Sequence, residues 1–181
     1  REEGDRWPEI VHNMQNRIGI SSGQMVTGNM GSESRMNYTM MGDNVNTAAR
    51  LESSAKQYGI YIQIADSTYQ PIKDKLVVRD LDNVRVLGKE EPVKVWELIS
   101  EVGNEPEQYK KKLPAYNEPL KLYQNQEWSK AIEAFKDSDA LEDMFPGRKT
   151  NPSRIYIPRC EHFQSNPPGD EWDGVWSLTS K

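Results

Sequence analysis

Cysteine is nearly absent. Cys160 is the only one in 181 residues, so no disulfide can close within the chain, which fits a reducing compartment. Long apolar runs are missing as well. No stretch approaches the roughly 20 apolar residues that a membrane-spanning helix needs, and the opening residues lack the apolar centre of a secretory signal. Positive charge is scarce in bulk: the net charge is −5, and no run of Lys and Arg exceeds Lys110–Lys112. That argues against a face built to neutralise the many phosphates of a nucleic acid. A few placed cations would still suffice for one nucleotide. An initiating Met is also missing, since the chain opens on Arg1, and the expectation is a piece of a longer protein.

What is present is polar but foldable, with 35% hydrophobic and 28% charged residues and a mean hydropathy of −0.85. The length allows one domain with an appendage, or two small domains. Arg17-Ile-Gly-Ile-Ser-Ser reads as a strand, and Met25 to Met30 resumes in extended style. Gly28 and Gly31 are expected to bracket a turn, followed by a polar loop at Ser32-Glu-Ser-Arg. Tyr38-Thr-Met-Met then runs into Gly42.

The best helix signal follows. Asp43 or Asn44 can cap its start, Val45, Ala48, Ala49 and Leu51 form an apolar stripe, and Gly59 is a natural stop. Tyr61 to Ala65 alternates as a strand does. Ser67 to Lys73 reads as a short helix, Leu76 to Val86 as strand, and Val93 to Ile99 as a last strand. Mixed strands and helices of this kind predict an α+β sandwich, a sheet with helices on one face.

Composition shifts at Gly103-Asn-Glu-Pro, which places a boundary between residues 1–102 and a C-terminal extension, 103–181. Within the extension, 107–145 reads as helical. Leu120, Tyr123, Trp128, Ala131, Ile132 and Phe135 recur at helical spacing, and Asn125-Gln-Glu is the expected turn of a helical hairpin. Residues 146–181 are rich in Pro, Gly and Trp and read as an irregular tail.

Asn46 and Arg50 stand four residues apart on the expected helix, so both project from one face near its N-terminal end. Free N–H groups and the helix dipole favour anions there. Asn offers a donor and an acceptor for a sugar, and Arg a permanently charged planar fork for phosphate oxygens. Taken alone, such a pair is more often a solvated helix face.

The wider pattern changes that weighting. Gly42-Asp-Asn-Val-Asn-Thr-Ala-Ala-Arg-Leu-Glu resembles the signature of class III adenylate and guanylate cyclases. The resemblance extends through Ile18-Gly-Ile-Ser-Ser-Gly, Gly28-Asn-Met-Gly-Ser and Tyr38-Thr upstream, and through Val86-Leu-Gly-Lys to Val93-Lys-Val-Trp-Glu-Leu downstream. It covers about residues 17–100 with the elements in the family's order. What it implies is the C-terminal part of a ferredoxin-like cyclase domain of the bacterial adenylate cyclase type, turning ATP into cyclic AMP and pyrophosphate in cyclic-nucleotide signalling.

By that resemblance Asn46 orients the ribose. Arg50 stabilises charge on the α-phosphate as the 3′-hydroxyl attacks, a displacement driven by positioning and charge stabilisation. Thr39 lies at the place where the family reads the purine. A Thr there is similar to many bacterial adenylate cyclases, which implies ATP rather than GTP, although a hydroxyl donates or accepts and does not itself force the choice. Lys89 matches a loop lysine that contacts the β- and γ-phosphates. Asp43 is read as a helix cap rather than a metal ligand.

The family also uses Mg2+ or Mn2+ held by two aspartates, the first in an F-x-D-x-x-x-F-T-type strand. Neither that motif nor the family's purine-selecting lysine occurs here; the acidic residues before Arg17 are Glu2, Glu3, Asp5 and Glu9. No metal site is therefore expected in this chain. The implied partner is a second cyclase subunit in a head-to-tail homodimer, the implied location is the cytoplasm, and any membrane tether would lie in upstream segments. Truncation explains the missing half better than a degenerate partner does. The alternatives are a non-catalytic regulatory or dimerisation partner, and a guanylate cyclase.

In the extension, 115–141 resembles one tetratricopeptide-like pair, with Ala131 and Phe135 at that repeat's spacing. One such unit buries little core alone, so packing on the cyclase sheet or on a partner is expected. Asn166 to Trp176 resembles tails that follow some bacterial cyclase domains, with Trp172 and Trp176 as anchors. Cys160 and His162 are two ligands only, short of a closed zinc site.

Overall fold

The computed structural model describes residues 7–12, 14–84, 92–143, 148–169 and 171–176. Its strands and helices interleave as β1 (Ile18–Ile20), β2 (Val26–Ser32), β3 (Arg35–Met41), α2 (Asp43–Tyr58), β4 (Ile62–Ala65), α3 (Asp66–Tyr69), β5 (Leu76–Val84) and β6 (Val93–Glu101). A short helix α1 (Glu9–His12) precedes them, and a 3-10 segment, Gln70–Lys75, links α3 to β5. The α+β class expected from the sequence is the one observed.

Four strands form one sheet in the order β1-β4-β6-β5, while β2 and β3 pair only with each other. β1 runs parallel to β4, and β6 is antiparallel to both β4 and β5. A register shift between Asp80 and Asp82 puts Leu81 and Asp82 side by side in the interior, both buried. Such a bulge re-aims consecutive side chains. Here it turns an acid inward next to an aliphatic.

The helix α2 lies on β1 and β4. Its buried residues Thr47, Leu51, Ala55 and Tyr58 recur at three- and four-residue steps, which aligns them on one stripe. Leu51, Ala55 and Tyr58 meet Ile60, Ala65, Leu81 and Val95 in one core. Gly19 permits the close approach. A Cβ there would stand 2.1 Å from the Ala48 carbonyl oxygen and 2.4 Å from the Glu52 nitrogen, so any side chain would push the helix off the strand.

Two expectations need correction in this half. Gly28 and Gly31 do not bracket a turn; both lie within β2, and the hairpin reverses at Glu33-Ser34 between the paired Ser32 and Arg35. Neither Asp43 nor Asn44 caps α2. The N-cap is Gly42, with no side-chain cap bond, and the Asn44 amide is used to tie down the preceding loop. It accepts from Ser21 and donates to the Gln24 carbonyl.

Beyond β6 the chain forms α4 (Glu107–Gln124), α5 (Trp128–Ala140) and α6 (Pro152–Ser165). The third helix corrects the expectation of an irregular tail over 146–181. Proline density suggested a break, yet Pro152 occupies the first turn, where no N–H is needed. Asn151 caps it by accepting from the Arg154 N–H at 3.1 Å. Pro158 sits on the exposed side, where water satisfies the carbonyl its ring leaves unbonded.

The three helices enclose a second core, rich in aromatics: Tyr116, Tyr123, Trp128, Phe135, Tyr156 and Phe163, with Leu120, Ala131, Ile132 and Cys160 between them. Phe135 and Tyr156 stack at 5.0 Å between ring centroids. Polar contacts join this core to the sheet. Tyr156 donates its hydroxyl proton to the Leu81 carbonyl, and Arg159 pairs with Asp82 at 2.6 Å. Arg79, fully buried, pairs with Glu97 at 2.6 Å and with Glu142 across from the extension. Among the described residues no helix is long and apolar enough to cross a membrane.

Candidate functional site

Three of the candidate residues lie on β3 and α2, which the turn at Gly42 joins: Thr39 on the strand, Asn46 and Arg50 on the helix. Gly42 makes that turn with a φ of 152°, in a region that side-chain-bearing residues avoid. A Cβ on it would also press to 3.3 Å from the Met25 Cα. The helix therefore starts directly off the hairpin, and the Asn46 N–H closes its first turn on the Gly42 carbonyl at 3.4 Å.

Asn46 and Arg50 are both exposed. They precede the buried Thr47 and Leu51 by one position each, so they form a stripe roughly 100° around the helix from the core stripe. Neither is needed to hold α2 in place. Thr47, by contrast, turns inward and bonds its hydroxyl to the Asp43 carbonyl at 2.9 Å. Side chains one position away thus have opposite tasks, one set packing and the other presented to solvent.

Thr39 lies in β3, opposite Gly28 of β2, and is exposed like every residue of its strand. Its immediate surroundings are open, since Gly28 offers no side chain across the ladder. Neighbouring Tyr38 reaches Thr27 at 3.4 Å. Along the chain, Thr39 precedes Gly42 by three residues and Asn46 follows it by four. Lys89, the fourth candidate, lies outside the described residues.

Among the described residues no group of three or more His, Cys, Asp and Glu stands together to hold a metal ion. The described side chains do not fit the metal that the resemblance implies. Cys160 is buried and its thiol is pushed up to about 12 by burial, which suits a packing role. His162 is exposed and packs on Phe163 and Trp176.

The buried ionic groups were not foreseen from the sequence. Glu97 is raised by burial, against the pull of Arg79. Tyr58, raised well above its usual range by burial and by Asp82, donates to Asp82 at 2.7 Å. Nor was a basic pocket foreseen, in which Arg17, Lys56, Arg148 and Lys149 meet. The only available signal was the Arg148-Lys149 pair placed just ahead of Asn151-Pro152.

The fold is an α+β half-domain whose main helix presents the exposed Asn46–Arg50 stripe close to its start. Residues 6–100 match the adenylate and guanylate cyclase catalytic domain, and the chain belongs to that family. It is 35% identical over 147 residues to the terminal-differentiation-specific adenylate cyclase of Dictyostelium discoideum, covering 79% of this chain and 7% of that protein. Coverage of that extent runs past the family's residues into the extension. Adenylate cyclase 1 of Rhizobium meliloti (strain 1021) is 34% identical over 86 residues, 48% of this chain and 13% of the relative. The chain thus spans a small part of the curated relatives it matches. Among solved structures, the adenylyl cyclase CyaB from P. aeruginosa is 34% identical, with a TM-score of 0.42, covering 50% of this chain and 45% of that one.

Proposed function

We propose that this chain supplies the ribose- and phosphate-handling half of an adenylate cyclase site and acts with a second subunit, head to tail, on ATP in the cytoplasm. Residues 1–102 are the partial catalytic domain and 103–181 its extension. The observation that carries this reading is the exposed Asn46–Arg50 stripe inside the family's matched region. Two side chains suited to a sugar and a phosphate are presented to solvent by a helix whose core face lies elsewhere.

In this reading Asn46 fixes the ribose so that its 3′-hydroxyl lines up with the α-phosphorus. Arg50 holds the charge that grows on the phosphoryl oxygens as pyrophosphate departs. Thr39 meets the purine edge, and Lys89 the outer phosphates. Mg2+ or Mn2+, on which the family generally depends, would be held by residues this chain does not contribute.

The test is Arg50→Ala in a cyclase assembled with a subunit that carries the metal-binding half. We expect cyclic AMP formation to fall on the order of 10³-fold or more with the thermal midpoint unchanged. Retained activity would remove Arg50 from the assigned role. Running the same assay with ATP against GTP reads out the substrate preference assigned to Thr39, and cyclic GMP in excess of cyclic AMP would reassign the substrate.

A further inference from the structure

We propose that the pocket at the C-terminal end of α2 binds a small, multiply charged phosphate group, and that this anion clamps the extension onto the helix that carries Asn46 and Arg50. The cavity holds about 120 Å3 and is lined by Arg17, Lys56, Arg148 and Lys149, with Tyr61 beside them. No carboxylate is among the described lining residues. In a chain of net charge −5 with 28 acidic residues, four cations lining one hollow, of which Arg148 pairs with Glu142, call for an explanation.

Helix electrostatics explain one of the four. The carbonyls at a helix C-terminus favour a cation, and Lys56 stands in the last turn of α2. Arg148 also has structural work: it donates to the Gly59 carbonyl at 3.0 Å and the Asp143 carbonyl at 2.7 Å, and pairs with Glu142 at 3.0 Å. Arg17 and Lys149 are different. Arg17 arrives from the segment before β1 and Lys149 from the segment before α6. Neither has an ion-pair partner among the described residues, and both are exposed.

Three elements far apart in sequence therefore aim charge at one space. A single carboxylate would leave most of that charge unanswered, whereas a phosphate or pyrophosphate presents several oxygens to forked and rotating donors at once. Lys56 lies ten residues along α2 from Asn46, about 15 Å at the helical rise. The pocket is thus separate from the nucleotide stripe. Because two of its cations belong to the cyclase half and two to the extension, occupancy would tie the two parts together.

The experiment is isothermal titration calorimetry of the whole chain with sodium pyrophosphate, at ionic strength matched with sodium chloride. A parallel arm measures co-sedimentation with phosphatidylcholine vesicles carrying a phosphatidylinositol phosphate. Saturable pyrophosphate binding that weakens at least tenfold in the Arg17→Gln, Lys149→Gln double variant supports a free-anion source. Vesicle binding with the same loss, and none for pyrophosphate, supports a lipid headgroup as the source of the same chemistry. The pair Lys130→Gln, Lys136→Gln on exposed α5 should leave either binding unchanged. If the double variant fails to fold by circular dichroism, Lys149→Gln alone serves, with a several-fold loss expected. No saturable binding in either arm overturns the proposal, as does undiminished binding in the pocket variants or an equal loss in the α5 pair.

Discussion

The extension and the β2–β3 hairpin share one chain and treat their apolar residues in opposite ways. In the extension, Tyr116, Phe135 and Tyr156 are sealed from solvent and packed against one another. In the hairpin, Met36, Tyr38, Met40 and Met41 are all more than half exposed, and Val26 is 67% exposed. Burial of an aromatic or Met side chain contributes roughly 1.5–3 kcal/mol, so the extension draws stability from its own sequence and the hairpin draws almost none. The difference separates stability from chemistry along the chain. Thr39 stands on that hairpin, and Asn46 and Arg50 on the exposed stripe of α2, so the residues proposed to handle the nucleotide are not the ones that pack the cores.

The largest effect that would break this comparison comes from Arg79. Its guanidinium lies under the Tyr116 ring at 5.1 Å and pairs with Glu97 and Glu142. Arg79→Ala leaves two buried carboxylates with a deficit of positive charge, which should cost about 3–5 kcal/mol, read as a lowered denaturant midpoint. Asn46→Ala, on the exposed stripe, should stay within about 0.5 kcal/mol of the parent chain. If the two variants were equally destabilised, the division into a supporting and a presenting region would fail.

A smaller effect sharpens the comparison at the junction. Asp82 is reached by Tyr58 of α2 at 2.7 Å and by Arg159 of α6 at 2.6 Å, so one carboxylate joins the cyclase core to the extension. Tyr58→Phe removes a hydroxyl and keeps the ring. A loss of about 1–3 kcal/mol is expected, because a buried charged acceptor loses a donor. The same variant should leave the nucleotide chemistry of an assembled enzyme intact once temperature is kept below its midpoint. A fall in activity matching that of Arg50→Ala would instead tie the junction to catalysis.

The sequence made the presenting side legible and the supporting side much less so. The β3–α2 turn and the Asn46–Arg50 spacing could be read because helical periodicity and one dense motif place them locally. Arg79, Asp82, Glu97 and Glu142 could not. Charged residues in alternating strands read as solvent-facing, and only pairing between residues as distant as Arg79 and Glu142 makes their burial tolerable. The same limit hid α6, where Pro152 and Pro158 suggested irregular chain although the first begins the helix and the second faces solvent. The side-chain cap expected at Asp43 or Asn44 failed for a tertiary reason: the Asn44 amide is taken by Ser21 and Gln24.

The smallest effect is alkaline and is read at Cys160 in the extension. Burial pushes the Cys160 thiol up to about 12 and raises Tyr156 well above its usual range, the packed ring having no water to solvate a phenolate. In the unfolded chain the thiol ionises near 8.5. Between these values the folded chain keeps a proton that the unfolded chain releases, so stability falls with rising pH, and below the ordinary thiol range it is unaffected. One proton sets a slope of at most about 1.4 kcal/mol per pH unit. Denaturation series at pH 8 and at pH near 10 should show this decline, and Cys160→Ala should flatten it after its own packing loss is subtracted at pH 8. A disulfide reagent at pH 8 should likewise label Cys160 only when denaturant is present. Rapid labelling of the folded chain would mean that the aromatic core opens as readily as the hairpin is exposed, and the contrast between the two regions would disappear.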